Sequence, residues 1–308
     1  LGRGGIIGIS TTVIPMGSDR AFIVHDKEAY FADQYQNEMV VTVSDWYHDL
    51  IEDLAPDFIS LYNLSGAEPV PNSFLLNDTI NTSISVAANT TYLLRLVNIG
   101  AFIGQYFYIE DHDFKVVEID GVYTDPKEAT MLYISPAQRY SILLTTKPTT
   151  DKNFAIVTVA DSSLMDTIPS DLQLNTTNWL EYNSSAAKPQ AIVDVEDSIK
   201  LNPFDDFTLV PHDQQPLLPE PDQVVDLTVY MNNLETGANY AFFNNITYTR
   251  PKVPTLYTAL SSAPDALAAD PTIYGEFTHP VILQHNHVVQ IVVSNADSGP
   301  HPIHNHGS

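Results

Sequence analysis

The sequence predicts an all-β protein made of β-sandwich or Greek-key barrel domains. Three observations carry this. Helical periodicity is nearly absent, short runs rich in β-branched and aromatic residues recur, and Asn, Asp, Gly and Pro punctuate the gaps at regular spacing.

The expected strands follow in order. Residues 39–44 (MVVTVS), 82–86 (TSISV), 91–97 (TYLLRLV), 114–119 (FKVVEI), 140–144 (YSILL) and 154–159 (FAIVTV) carry the side chains that fit a pleated, half-buried surface. A stretch dense in Pro and Asp then runs from 188 to 222, with NPFDDF and PLLPEPDQ, and reads as an extended crossing between domains. Strands resume at 224–231 (VVDLTVYM), 281–283 (VIL) and 288–293 (VVQIVV). The organisation expected is a head over 1–37, a complete domain over 38–165, an acidic Pro-rich connection over 166–222, and the start of a further domain over 223–308.

Composition narrows the function. The chain has 308 residues, 13 basic against 38 acidic, a net charge of −25 and a pI near 4.4. That balance argues against nucleic acid or an anionic membrane as partner, and any charged partner is expected to be a cation. A hydrophobic content of 44% marks a folded chain, so the acidity does not signal disorder. With no cysteine, disulfides, zinc–thiolate sites, thiol nucleophiles and thiolate-bound copper within this chain are excluded.

No apolar run approaches the length that crosses a bilayer. Glycosylation sequons at Asn63, Asn77, Asn81, Asn89, Asn175, Asn183 and Asn245, four of them crowded between 63 and 89, tilt the reading toward a secreted or cell-surface eukaryotic protein. The final His-Gly-Ser stops inside a motif, so the chain is expected to be a piece of something longer.

That motif is the strongest local signal: His301-Pro302-Ile303-His304-Asn305-His306-Gly307. Three neutral imidazoles so close suit copper, iron, nickel or zinc. In an extended segment, His304 and His306 point to one side and His301 to the other, as if the chain passed between two centres. A solvated His-rich turn is the plainer alternative. His285 and His287 also have same-face spacing but sit in an expected β-run over 283–293, so a surface strand is the reading preferred. His48 and His112 read as structural, and the acidic clusters at 110–113 and 205–206 as solvated faces.

At this motif the chain resembles the multicopper oxidase family, and within it the fungal iron-transport ferroxidases of the plasma membrane. The resemblance extends to VTVSDWYHDL (41–50), SGAEPVPNS (65–73), the long run 90–121, AQRYSILL (137–144), DTIPSDLQLN (166–175), NYAFFNNITY (239–248) and PKVPTL (251–256). It implies cupredoxin-like Greek-key β-sandwich domains, one complete and one or two partial. On this reading, residues 1–37 comprise an unmatched head and the tail of a first cupredoxin domain. The complete second domain is 38–165, and 223–308 is the amino-terminal part of a third.

Roles carry over by position. The resemblance implies that His301 binds type 1 copper, His304 type 2 copper and His306 a type 3 copper. It implies that four one-electron oxidations are coupled to reduction of dioxygen to water. Ferrous iron prefers carboxylate oxygen, which also favours the ferric state. The implied iron-binding acids are Glu68, Asp166 and Asp297, with Tyr240 beside them, and Glu68 and Asp297 are the implied electron conduits to copper. Copper is the implied cofactor, Fe(II) and dioxygen the substrates, and an iron permease the partner. The implied location is the extracellular face of the plasma membrane.

Departures matter as much. The first-domain H-W-H and W-Y-H-x-H pairs and the terminal H-C-H are missing, so the chain taken alone is expected to be inactive. The alternatives are a laccase-like phenol oxidase, against which the three acids speak, and a non-catalytic truncated remnant.

Overall fold

A computed structural model describes residues 5–8, 21–148, 151–191, 202–263 and 267–305. Its strands are β1 (Gly5–Gly8), β2 (Ala21–Val24), β3 (Asn37–Trp46), β4 (Ser73–Leu76), β5 (Ser83–Ser85), β6 (Thr91–Asn98), β7 (Gln105–Ile109), β8 (Phe114–Ile119), β9 (Val122–Ala129), β10 (Met131–Ile134), β11 (Arg139–Thr145), β12 (Phe154–Ala160), β13 (Asn175–Glu181), β14 (Gln223–Asn233), β15 (Asn239–Phe243) and β16 (Val289–Asn295). Two α-helices of eight residues each, α1 (Ile51–Phe58) and α2 (Thr255–Ser262), interrupt them. The chain divides into two units: residues 1–54, 68–215 and 302–308, and residues 55–67 and 216–301.

The first unit is a sandwich. One sheet has five strands in the order β10-β7-β12-β13-β5, the other six in the order β4-β3-β6-β11-β8-β9. The order departs from sequence order within both sheets, as Greek-key connections require, and two pairs, β3–β6 and β13–β5, are parallel. A shared core forms from Val41, Leu94, Leu96, Tyr140 and Ile142 on the six-stranded side and Phe107, Ile109, Leu132, Ile156 and Leu180 on the five-stranded side. Burying each such side chain contributes about 1.5–3 kcal/mol. Arg95 interrupts the apolar run of β6 yet is buried, because its Nε donates to Glu38 Oε1 at 2.6 Å and Nη1 lies 3.6 Å from Glu118 Oε2.

The Pro- and Asp-rich stretch is more than a crossing. Within the expected connection 166–222, β13 pairs with β12 along six residue pairs and belongs to the five-stranded sheet. Its sequence, NTTNWLE, reads as polar, yet Thr176, Asn178, Trp179 and Leu180 are all buried. Residues 204–212 then run along the sandwich's open side. Phe204 N–H donates to Met131 O on the edge strand β10, and Asp125 N–H on the opposite edge strand β9 donates to Val210 O. Covered edges cannot template pairing with another chain. Asp206, expected as part of a solvated face, accepts from the Tyr140 hydroxyl at 3.1 Å and from Gln138 at 3.2 Å.

In the second unit, β14 pairs with β15 antiparallel and with β16 parallel. Only Val229 among the β14 residues is buried, whereas Val224 is 50% and Ile291 51% exposed. Two expectations are corrected here. Residues 281–283 are not a strand, and β16 begins at Val289, so His285 and His287 lie in an exposed turn instead of inside a strand. Asn286 takes φ +63°, a left-handed turn conformation that ends any extended run. Of residues 1–20, within the expected head 1–37, only Gly5–Gly8 is described, pairing antiparallel with Ala21–Val24.

Candidate functional site

The loop after β16 folds around one asparagine. Asn295 Oδ1 accepts from Asp297 N–H at 3.0 Å and its Nδ2 donates to Gly299 O at 2.7 Å. This Asx brace turns the chain so that Asp297 and His301, four residues apart, meet: His301 Nε2 lies 2.9 Å from Asp297 Oδ2. Both side chains are about one-quarter exposed. The hydrogen bond from His301 is the main cause holding the Asp297 carboxyl below its ordinary range, aided by the backbone N–H groups of Gly299 and Ser298. With Nε2 donating to a carboxylate, Nδ1 is the ring nitrogen whose lone pair suits a metal.

Glu68 is half-buried in coil, shortly before β4 begins at Ser73. The next carbonyl, that of Pro69, accepts from the Tyr47 hydroxyl at 3.1 Å. Burial pushes the Tyr47 phenol far above its ordinary range, and the negative charges of Asp45 and Glu68 push it the same way. Asp45 is buried and accepts three backbone N–H bonds, from Ala101, Phe102 and Ile103, at 2.8–3.0 Å. Tyr47 and Asp45 were not singled out from sequence, although both stand in the quoted stretch 41–50.

Asp166 is exposed and follows Met165, which closes a short 3-10 turn over Ser162–Leu164. Asp161 caps that turn, accepting from Ser163 N–H at 3.0 Å, while its other oxygen accepts from Tyr133 at 2.9 Å. Tyr240 is half-buried on β15, opposite Asn232. Glu68 and Asp166 thus belong to the first unit, and Tyr240, Asp297 and His301 to the second. His304 is exposed, and His306 lies outside the described residues.

The remaining histidines sort clearly. His112 is buried, Nδ1 facing Glu110 O and Nε2 facing Tyr182 Oη, each at 2.7 Å, which fixes it in the core. His48 is exposed in a bend whose N–H donates to Asn72 Oδ1. Of the sequon asparagines, Asn77, Asn81, Asn89 and Asn245 are exposed with left-handed φ of 50°, 55°, 49° and 66°. Asn183 is exposed, Asn175 is half-buried on β13, and Asn63 is half-buried with Nδ2 donating to two carbonyls.

Copper of types 1, 2 and 3 calls for converging imidazole and thiolate donors. Among the described residues no group of three or more His, Cys, Asp or Glu side chains is placed to hold a metal, and the sequence contains no cysteine. The described donors therefore do not by themselves compose a copper centre. They supply one imidazole, His301, oriented by one carboxylate.

Comparison with known proteins agrees with the motif. A multicopper oxidase family model matches residues 37–185, and a second multicopper oxidase model matches residues 248–308. The iron transport multicopper oxidase FET3 of Gibberella zeae is 53% identical over 294 residues, covering 95% of this chain and 46% of that protein. FET3 of Saccharomyces cerevisiae is 50% identical over 292 residues, covering 94% of this chain and 45% of that protein. The crystal structure of Fet3p, a multicopper oxidase that functions in iron import, superposes with a TM-score of 0.90 at 47% identity, over 96% of this chain and 55% of that one. The chain spans about half the length of the curated relatives it matches. The two family matches, the close relatives and the shared all-β fold establish that this chain belongs to the multicopper oxidase family.

Proposed function

We propose that this chain is part of a multicopper ferroxidase that oxidises Fe(II) to Fe(III) for high-affinity iron uptake. The balanced reaction takes four ferrous ions, one dioxygen and four protons to four ferric ions and two waters. The observation that carries the reading is the hydrogen bond between Asp297 and His301. It ties a carboxylate suited to iron directly to an imidazole suited to a redox metal. The relatives' role in iron transport supports it.

Glu68, Asp166 and Asp297 are assigned to ferrous ion, with Tyr240 beside them. Carboxylate oxygens are hard donors, so they hold the ferric product more strongly than the ferrous substrate and thereby ease loss of the electron. Asp297, like an ordinary carboxylate, is ionised at neutral pH, and His301 donates to its Oδ2. His301, His304 and His306 are assigned to type 1, type 2 and type 3 copper, in company with donors beyond the described set. Copper, when bound, supplies electron acceptance and dioxygen reduction. The acidic surface, at a net charge of −25, raises the local concentration of the cationic substrate. The seven sequons and the relatives' role support a place at the extracellular face of the plasma membrane beside an iron permease. No helix among the described residues is long and apolar enough to cross a membrane.

The test uses the intact oxidase carrying this chain. Glu68→Ala with Asp297→Ala is expected to abolish ferrous oxidation while sparing oxidation of a phenol. Equal loss of both activities would overturn the iron assignment in favour of a laccase-like pocket. A copper-free chain without oxidase turnover in any context would favour the non-catalytic remnant.

A further inference from the structure

The chain entering Glu68 has no regular structure between the end of α1 and Glu68, so its backbone carbonyls need partners from elsewhere. Three asparagine side chains supply them. Asn63 Nδ2 donates to Phe58 O and to Ala67 O, both at 2.9 Å. Asn239 Nδ2 donates to Ser65 O at 3.0 Å. Asn233 Nδ2 donates to Leu64 O at 3.2 Å and to Gly237 O at 2.7 Å. Asn233 and Asn239 are direct partners across β14 and β15, so both amides leave the same end of one hairpin.

Two glycines make the close approach feasible. Gly66 takes φ +74°, and a Cβ there would lie 2.3 Å from Asn239 Nδ2. Gly237, at φ +86°, closes the hairpin against Leu61, whose Cδ2 would lie 3.2 Å from an added Cβ. Among the described residues the buried Asn239 Oδ1 has no hydrogen-bond partner, whereas its Nδ2 donates to Ser65 O. All of these contacts lie within the second unit.

Resting on the ferroxidase reading, we propose that Asn239, seconded by Asn233 and Asn63, is a positioning residue for iron binding. It pins the coil that leads into Glu68 to the strand on which the next residue is Tyr240. Two candidate iron-pocket residues thus follow directly from the two sides of one clamp. A loop released from the clamp leaves Glu68 to sample more positions, so ferrous ion binds more weakly while the chemistry of other substrates is unaffected.

The experiment compares Asn239→Ala and the volume-filling Asn239→Leu, neither of which carries the donor, with Asn239→Gln, which keeps it. All are made in the full-length, copper-loaded oxidase. The expected result is a rise of about fivefold in KM for ferrous ion, the factor one ordinary hydrogen bond supplies. The phenol kcat is unchanged, and Asn239→Gln restores part of the ferrous KM. Deuterium uptake across residues 59–67 rises in the donor-free variants while uptake in the β-sandwich core stays constant. Unchanged ferrous KM in both donor-free variants, or unchanged uptake across 59–67, would overturn the proposal. An unsubstituted oxidase that turns over phenols but not ferrous ion would overturn the ferroxidase reading, and this positioning role with it.

Discussion

Replacing Asp45 by asparagine probes how a single buried carboxylate organises the loop between β6 and β7. Asp45 Oδ1 accepts from Ala101 N–H at 2.9 Å, and Oδ2 accepts from Phe102 and Ile103 N–H at 2.8 and 3.0 Å. The residue is only 5% exposed, so those three N–H groups have little water to turn to. A hydrogen bond to an ionised group contributes about 1.5–3 kcal/mol. The substituted amide would turn its oxygen to Phe102 and Ile103, keeping those two bonds in weaker, uncharged form, and set its amino group against the Ala101 N–H, losing the third. Because the amide also avoids burying a charge, the net expected loss is about 2 kcal/mol for Asp45→Asn. Urea unfolding followed by tryptophan fluorescence reads this directly, since Trp46 is the adjacent residue. A second readout separates charge from stability. Asp45 is the second cause, after burial, of the raised Tyr47 pKa, so a spectrophotometric phenol titration should show Tyr47 ionising earlier in Asp45→Asn, yet still above the ordinary tyrosine range. A stability loss under about 0.5 kcal/mol, the scale of ordinary surface changes, would refute the view that Asp45 holds this loop.

Two further outcomes follow from particular groups. Burial lowers the His112 pKa below its ordinary 6.5, so the unfolded chain takes up a proton the folded imidazole resists. Stability should be complete above about pH 6.5 and fall as pH drops below it, and His112→Gln should flatten that slope in urea midpoints compared between about pH 7.5 and 5. An identical slope in the variant would assign it to other groups. On the second unit, Val225, Leu227, Ile291 and Val293 share one face of the β14–β16 pair by register with Ile291 51% exposed. Self-association at tens of micromolar is expected by sedimentation. Ile291→Lys should weaken it several-fold, and a wild-type chain that stays monomeric would sink the idea.

The fold was most legible where burial is two-sided. The runs at 91–97, 114–119, 140–144 and 154–159 became β6, β8, β11 and β12 within a residue at either end, because strands largely covered on both faces are mostly apolar, with single polar residues such as Arg95 and Lys115, and are bounded by turn residues. Legibility failed where packing, not propensity, makes the strand. β13 is drawn from a polar sequence and owes its place to pairing with β12 and β5. β9 contains Pro126, which argues against a central strand, and it is tolerated because β9 lies at the edge of its sheet. The run at 281–283 failed the other way: three apolar residues are too few to distinguish a strand from an extended connection, and the left-handed Asn286 terminates it before β16 begins.

At the candidate site, sequence identifies residue types and their spacing, while the loop's folding decides which atoms meet. A separation of four residues between Asp297 and His301 is compatible with many geometries; the Asn295 brace selects the one in which Oδ2 reaches Nε2. No pattern marks such a brace in advance, because Asn, Asp and Gly are equally at home in any turn. Asparagine shows the same ambiguity elsewhere. Asn63 stands in a sequon, but a glycan replaces one hydrogen of Nδ2, and that nitrogen uses its hydrogens on Phe58 O and Ala67 O. The two uses compete for one atom, and the folded loop satisfies the carbonyls. Asn77, Asn81 and Asn89 stand in the same tripeptide pattern, yet each is exposed in a left-handed turn. What distinguishes Asn63 is therefore invisible in its own three residues and depends on where the carbonyls of residues 58 and 67 come to lie.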